Sequence, residues 1–184
     1  TEQRDHLPPV LTFRLQRWLL VRPRQRQLLN KSSTLAKPTP ALPGSVGYGQ
    51  PWSNQVTSSI EQRLAEQGIK MPSVAPAVAN YVPFTRRGTL ITISGQLPRT
   101  DDGLITGTLG NGTSIDRGVA AAQQCAVAIL AILNEAIEGD LDRLDGCVQL
   151  SGFVQSAPGF TEHSTVINGA SDLVATILGE RGRH

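Results

Sequence analysis

The chain is sparing with residues that do chemistry. Its three histidines, His6, His163 and His184, and its two cysteines, Cys125 and Cys147, stand far apart. None has the C-x-x-C or H-x-x-x-H spacing that brings ligands to one ion, so no metal site is expected. The glycines of GTLGNG (Gly107, Gly110, Gly112) lack the Lys-Ser/Thr that a phosphate-cradling loop requires, and read as loop glycines. No serine has the local context of a nucleophile elbow, and a Ser-His-Asp triad would have to recruit His163 or His184. His163 precedes a helical pattern and reads as a solvated residue.

Two oddities remain. The segment TLITI runs into Ser94-Gly95-Gln96-Leu97-Pro98. A strand ending in Ser-Gly presents a small hydroxyl beside bare backbone, where a ligand can approach closely. From the pentapeptide alone, a plain strand-to-turn junction is the better explanation. The other oddity is Asn168-Gly169 inside a helical pattern. Gly there costs about 1 kcal/mol relative to Ala, so either a neighbouring backbone packs closely at Gly169 or Asn168 donates to something.

The elements that must position these residues follow from periodicity. Ser58 and Glu61 have the spacing of a capping box for a short helix through about Gln67, ended by Gly68. YVPFTRRGTLITISGQLP reads as two strands about a turn at Arg87-Gly88, with a further short strand over 104–106. Residues 114–138 give the clearest helix. Thr113 or Ser114 caps it, Ile115, Val119, Ala122, Ala126, Ile129, Leu133 and Ile137 share a face, and Gly139 ends it. Gly146–Val154 is a strand, and residues 165–180 form a second amphipathic helix closed by Gly182. Helices alternating with strands imply an α+β layer, a sheet with helices on one face.

Charge divides the chain. Residues 1–50 hold eight Lys or Arg against Glu2 and Asp5, a net of +6, so residues 51–184 carry −4 within a whole-chain charge of +2. An acidic domain with 4% aromatics is a poor match to nucleic acid, which wants cationic grooves and stacking platforms. No membrane span is expected, the longest apolar stretch being short and lying inside an amphipathic helix pattern. Cys125 and Cys147 fall in apolar periodic segments and read as reduced core residues of an intracellular protein.

Residues 1–56 read as a basic, Pro-rich disordered extension, and residues 57–184 as the domain. LTFRLQRWLLVRPRQRQLL mixes Leu, Trp and Arg without acids, as mitochondrial transit segments do. An unstructured extension with no such role, or an upstream stretch read through, is the preferred reading of it. The localisation expected is cytoplasmic, with the mitochondrial matrix as the alternative. The chain opens at Thr1 and its only methionine is Met71, so a start lying further upstream is expected.

Taken in order, NYVPF, TLITISGQLP, the helix DRGVAAAQQCAVAILAILNEAIEG, and GDLDRLDGCVQLSGFVQSAPGFTEHSTVINGASDLVATILGERGRH resemble the Rid/YjgF-like family, the reactive-intermediate imine deaminases. The closer likeness is to its chorismate-mutase-like, endoribonuclease-labelled branch. The resemblance covers residues 57–184 and implies a chorismate-mutase-like α+β fold with two long helices on one face of the sheet. It also implies a homotrimer with ligand clefts between subunits. The activity implied is hydrolysis of 2-imino and 2-enamino acids to 2-keto acids and ammonia, without cofactor or metal. By position, Tyr81 matches the family's cleft tyrosine, Ser94 and Gly95 its strand-end ligand contacts, and Asn168 its cleft asparagine.

In the family, GERGRH leads into a segment with a carboxylate-binding Arg and then a strand with a Glu. This chain is therefore expected to lack the last two strands and the anion-binding residue, and Arg181 and Arg183 do not take that role. Three readings follow: an imine deaminase, a non-catalytic trimeric small-molecule-binding module, or an endoribonuclease.

Overall fold

The computed structural model describes residues 16–21, 59–74 and 80–184. In chain order the elements are β1 (Gln16–Val21), α1 (Ser59–Glu66), β2 (Phe84–Arg87) and β3 (Leu90–Ile93). Four two-residue strands follow, β4 (Arg99–Thr100), β5 (Gly103–Leu104), β6 (Thr108–Leu109) and β7 (Gly112–Thr113). Then come α2 (Ile115–Ala136), a 3-10 turn (Leu141–Arg143), β8 (Leu144–Ser151), α3 (His163–Leu178) and a closing 3-10 turn (Gly179–Gly182).

The main sheet has four strands in the order β2-β3-β1-β8. Along β3, Ile91 and Ile93 are fully buried while Leu90 and Thr92 are half-buried, the period-two signature of a sheet packed on one face. The buried set joins Val21, Leu144 and Cys147 to the apolar stripes of α2 and α3 in one core. α2 is capped as expected, the Ser114 hydroxyl accepting from the Arg117 N–H at 3.2 Å. The helix ends where the chain turns left-handed at Glu138 and Gly139, the Gly139 N–H returning to the Asn134 carbonyl at 2.8 Å.

The α2–α3 seam explains Gly169. A Cβ there would lie 2.7 Å from the Val119 carbonyl oxygen and 2.9 Å from its side chain. Only glycine lets the backbones meet this closely, so the close-packing alternative for Asn168-Gly169 holds. Of the two glycines near the end of α3, Gly179 at φ +62° ends the helix, not Gly182. Gly182 instead lies against the helix, where a Cβ would come within 2.4 Å of the Val174 carbonyl.

The first turn of α1 is held from outside. The Ser59 N–H and hydroxyl both donate to the Asp142 carboxylate, at 3.1 and 2.9 Å, a charge-assisted cap at a helix N-terminus. Ser58, expected as the cap, lies outside the described residues. Arg181 donates to the Asp142 carbonyl at 3.0 Å, and Arg63 to the Ile177 carbonyl at 3.0 Å. These bonds pin α1 to the end of α3.

Two expectations need correction. Residues 16–21, read as part of a disordered extension, form a strand inside the sheet. Arg17–Leu20 stand opposite Ile93–Leu90, and Gln16–Val21 opposite Ser151–Leu144, both antiparallel. Pairing to strands so distant in sequence leaves no local signature to read. The rest of residues 1–56 lies outside the described residues. Secondly, α2, at 22 residues, is long and apolar enough by length and composition to cross a membrane. Its apolar residues are spent on the core, where Ala122, Cys125, Ile129, Leu130 and Leu133 are fully buried.

Candidate functional site

The β2–β3 hairpin folds the chain before β2 back along the end of β3. The Ser94 N–H donates to the Pro83 carbonyl at 2.8 Å, extending the ladder past the Phe84–Ile93 pair. The Ser94 hydroxyl donates to the Val82 carbonyl in a short hydrogen bond. Tyr81 and Val82 are 49% and 54% exposed, unusual for large residues that flank a strand pair. Beyond them Gln96 turns back, its amide donating to the carbonyls of Ser94 and Gly95 at 3.0 and 3.2 Å. Tyr81, Ser94 and Gly95 are therefore brought into one corner.

The polarity of that corner is set by the backbone. With its proton directed at Val82, the Ser94 oxygen keeps its lone pairs for an incoming N–H or water. The half-exposed Tyr81 adds a phenol that can donate or accept. Below it, the Cys125 thiol donates to the Gln96 carbonyl at 3.4 Å. Burial pushes this thiol up, well beyond its ordinary range, so it stays protonated and supports the loop rather than attacking a ligand.

Asn168 is exposed on α3, and no hydrogen bond joins it to Tyr81, Ser94 or Gly95 among the described residues. Arg181 is engaged with Asp142, at 3.7 Å between charged atoms, and Arg183 with Glu180 at 3.4 Å. His163 is exposed but not merely solvated. Its Nε2 lies 3.0 Å from the Ser156 hydroxyl, and its ring meets Phe160 edge-on at 5.0 Å. His184 is tied to the Gly182 carbonyl and to Ser171, at 2.8 and 3.2 Å. Among the described residues no acid is hydrogen-bonded to either imidazole, as a triad would need.

Among the described residues no group of three or more His, Cys, Asp or Glu could hold a metal ion. A shallow pocket of about 150 Å³ opens elsewhere, lined by Gln67, Ile69, Gln123, Asp172, Thr176 and neighbours. It is smaller than the roughly 300–1,000 Å³ of typical ligand sites. Sequence reasoning missed two parts of the Ser94 corner. The Val82 carbonyl is a main-chain group with no residue signature. Gln96 could have been suspected, since an amide directly after Ser-Gly can close back on that turn.

Comparison with known proteins gives a consistent answer. Residues 61–184 match the family described as YjgF/chorismate mutase-like, putative endoribonuclease. Protein TCP17 of Trypanosoma cruzi is 43% identical over 127 residues, 68% of this chain and 79% of that protein. The crystal structure of protein Atu1372 from Agrobacterium tumefaciens is 46% identical with a TM-score of 0.63, covering 68% of this chain and 78% of that one. A putative endoribonuclease from Shewanella oneidensis MR-1 is 34% identical with a TM-score of 0.66, covering 69% and 84%. The hairpin, the two packed helices and the residues matched in sequence agree: the chain belongs to the YjgF/chorismate mutase-like family.

Proposed function

We propose that this chain hydrolyses reactive 2-imino and 2-enamino acids to 2-keto acids and ammonia, at clefts between the subunits of a homotrimer. One observation supports this reading above the rest. The Ser94 hydroxyl donates to the Val82 carbonyl, which leaves its oxygen as a fixed acceptor beside an exposed tyrosine. An imine or enamine N–H is a donor of the complementary kind. An enamine first becomes the imine as a nitrogen proton moves to its terminal carbon; water then adds to the imine carbon, both water protons pass to the nitrogen, and the C–N bond breaks to leave the keto acid and ammonia. The task for the protein is to hold the nitrogen and orient the water.

In this arrangement Ser94 and Gly95 contact the nitrogen end of the substrate and Tyr81 closes the corner. Asn168, on an exposed face of α3, is contributed across the cleft from a neighbouring copy. The exposed apolar residues Val148 and Phe153 supply surface that a neighbour would cover. No cofactor is required by this chemistry.

A second reading, RNA cleavage, comes from the name carried by the Shewanella relative. The net −4 of residues 51–184 and the low aromatic content weigh against it. The test is keto-acid release from 2-aminoacrylate generated in the assay, with trimer mass followed by sedimentation. The expected result is acceleration over buffer, reduced about tenfold in Ser94→Ala, the order of one lost neutral hydrogen bond. A folded chain that gives no acceleration would sink the proposal. Cleavage of RNA lost in Ser94→Ala would favour the second reading.

A further inference from the structure

Residues 94–98 form a short bridge that is anchored at both ends. At one end the Ser94 N–H donates to the Pro83 carbonyl at 2.8 Å, and at the other the Pro98 carbonyl accepts from the Ile105 N–H at 2.9 Å. Between these anchors stands Gly95, beyond the last β2–β3 pair at Phe84 and Ile93. Glycine has the freest backbone of any residue, so a glycine that must contact a ligand needs something to hold it. Gln96 closes over it, donating to the carbonyls of Ser94 and Gly95, the two peptide groups that flank Gly95, at 3.0 and 3.2 Å. We propose that Gln96 is the positioning residue of this corner, holding the Gly95 backbone in register with the Ser94 hydroxyl so that both meet the substrate nitrogen together. The inference rests on the deaminase reading of the corner.

Three observations carry this. The carboxamide nitrogen has two hydrogens, and two carbonyls take them. Turned the other way, the amide oxygen would face two carbonyl oxygens, so the neighbours themselves fix which end points inward. The clamp is also held in its turn. The Gln96 carbonyl accepts from the Cys125 thiol at 3.4 Å, which ties the bridge to a fully buried position on α2. Finally, Ser94, Gly95 and Gln96 are all half-buried, at a depth where water can satisfy a carbonyl. The two bonds therefore add orientation more than stability. They also occupy main-chain acceptors that would otherwise compete with the Ser94 oxygen for an incoming N–H. Every group involved lies within the family-matching residues 61–184.

The test follows keto-acid release from 2-aminoacrylate generated in the assay, with the full chain and its variants. Gln96→Glu keeps the shape of the side chain but offers only acceptors when ionised. The expected result is a kcat/KM lowered about tenfold, the order of one neutral hydrogen bond, with a melting temperature close to the parent's. Gln96→Met, of similar length and without a donor, should repeat that loss, and it serves if Gln96→Glu does not fold. The double variant Ser94→Ala/Gln96→Glu separates positioning from a merely structural role. Groups that act as a unit lose little more together than alone, so the double variant should also fall about tenfold. Independent contributions would instead multiply to roughly a hundredfold.

Parent-like kcat/KM in the folded Gln96 variants overturns the inference while the deaminase reading stands. Multiplied losses in the double variant do the same, because Gln96 would then act apart from Ser94. A lowered melt with kcat/KM unchanged per folded molecule, or failure of both Gln96 variants to fold, reduces Gln96 to a structural joint and overturns it as well. A parent chain that gives no acceleration is a different failure: it overturns the deaminase reading, and this inference falls with it.

Discussion

The α2–α3 seam and the Ser94 corner are built on opposite terms. At the seam, a backbone hydrogen on Gly169 is all that fits against Val119, and the surrounding Val166, Ala170 and Val174 are fully buried. At the corner, a large aromatic and a valine stand about half exposed while the hydroxyl between strands is held by one carbonyl. Space without water serves stability, and access with fixed polarity serves recognition. The two are kept apart in the fold, so substitutions should separate them.

The largest effect is expected at the seam. Gly169→Ala must push α2 and α3 apart against a carbonyl 2.7 Å from the new methyl group. Overpacking of this kind costs about 1–3 kcal/mol or more, despite the gain in helix propensity that Ala brings. A thermal melt should fall by several degrees. A melt that rises would mean the helices separate at little cost, and the contrast with the corner would weaken.

Ser94→Ala should do the reverse. The lost hydroxyl contact at an accessible site costs about 0.5–1.5 kcal/mol, less than the seam substitution, while ligand binding and turnover suffer. Calorimetry on the two variants side by side sharpens the comparison. Should Ser94→Ala destabilise as much as Gly169→Ala, the corner is a structural joint rather than a site.

The smallest effect concerns pH. Burial raises the folded-state pKa of Cys125 above its reference value of 9.0, so the folded chain keeps a proton that the unfolded chain releases. The associated stability is present below that reference value and is lost progressively as pH rises above it. Cys125→Ala should flatten that alkaline decline in denaturation midpoints measured from pH 7 to 10. An equal slope in both proteins would show that other groups set it.

How much of this could be read from sequence differs by region. The helix containing Ile129 and Leu133 was legible because its apolar stripe repeats at local spacing, and Ser114 and Gly139 mark its ends with their own chemistry. Gly169 announced itself as a conflict between propensity and position, though not which of two causes applied. Gln16–Val21 gave no comparable signal. Its residues QRWLLV contain one β-branched side chain among arginine and leucine, and a strand identity made by partners elsewhere in the chain has no local mark. The site was legible only in part. Ser94-Gly95 stood out at the end of a strand, but the Val82 carbonyl that fixes the hydroxyl belongs to the main chain, which carries no letter in the sequence.

The position of β1 also bears on synthesis. Gln16 pairs with Ser151, and Arg17 with Ile93, so the strand leaves the ribosome long before either neighbour exists. Contacts this distant in sequence form slowly. Until β3 emerges the strand has no partner in the sheet, and until β8 emerges one of its edges stays open, the kind of surface that promotes aggregation during translation. The middle of the finished sheet is thus the part of the protein with the longest exposure while it is being made.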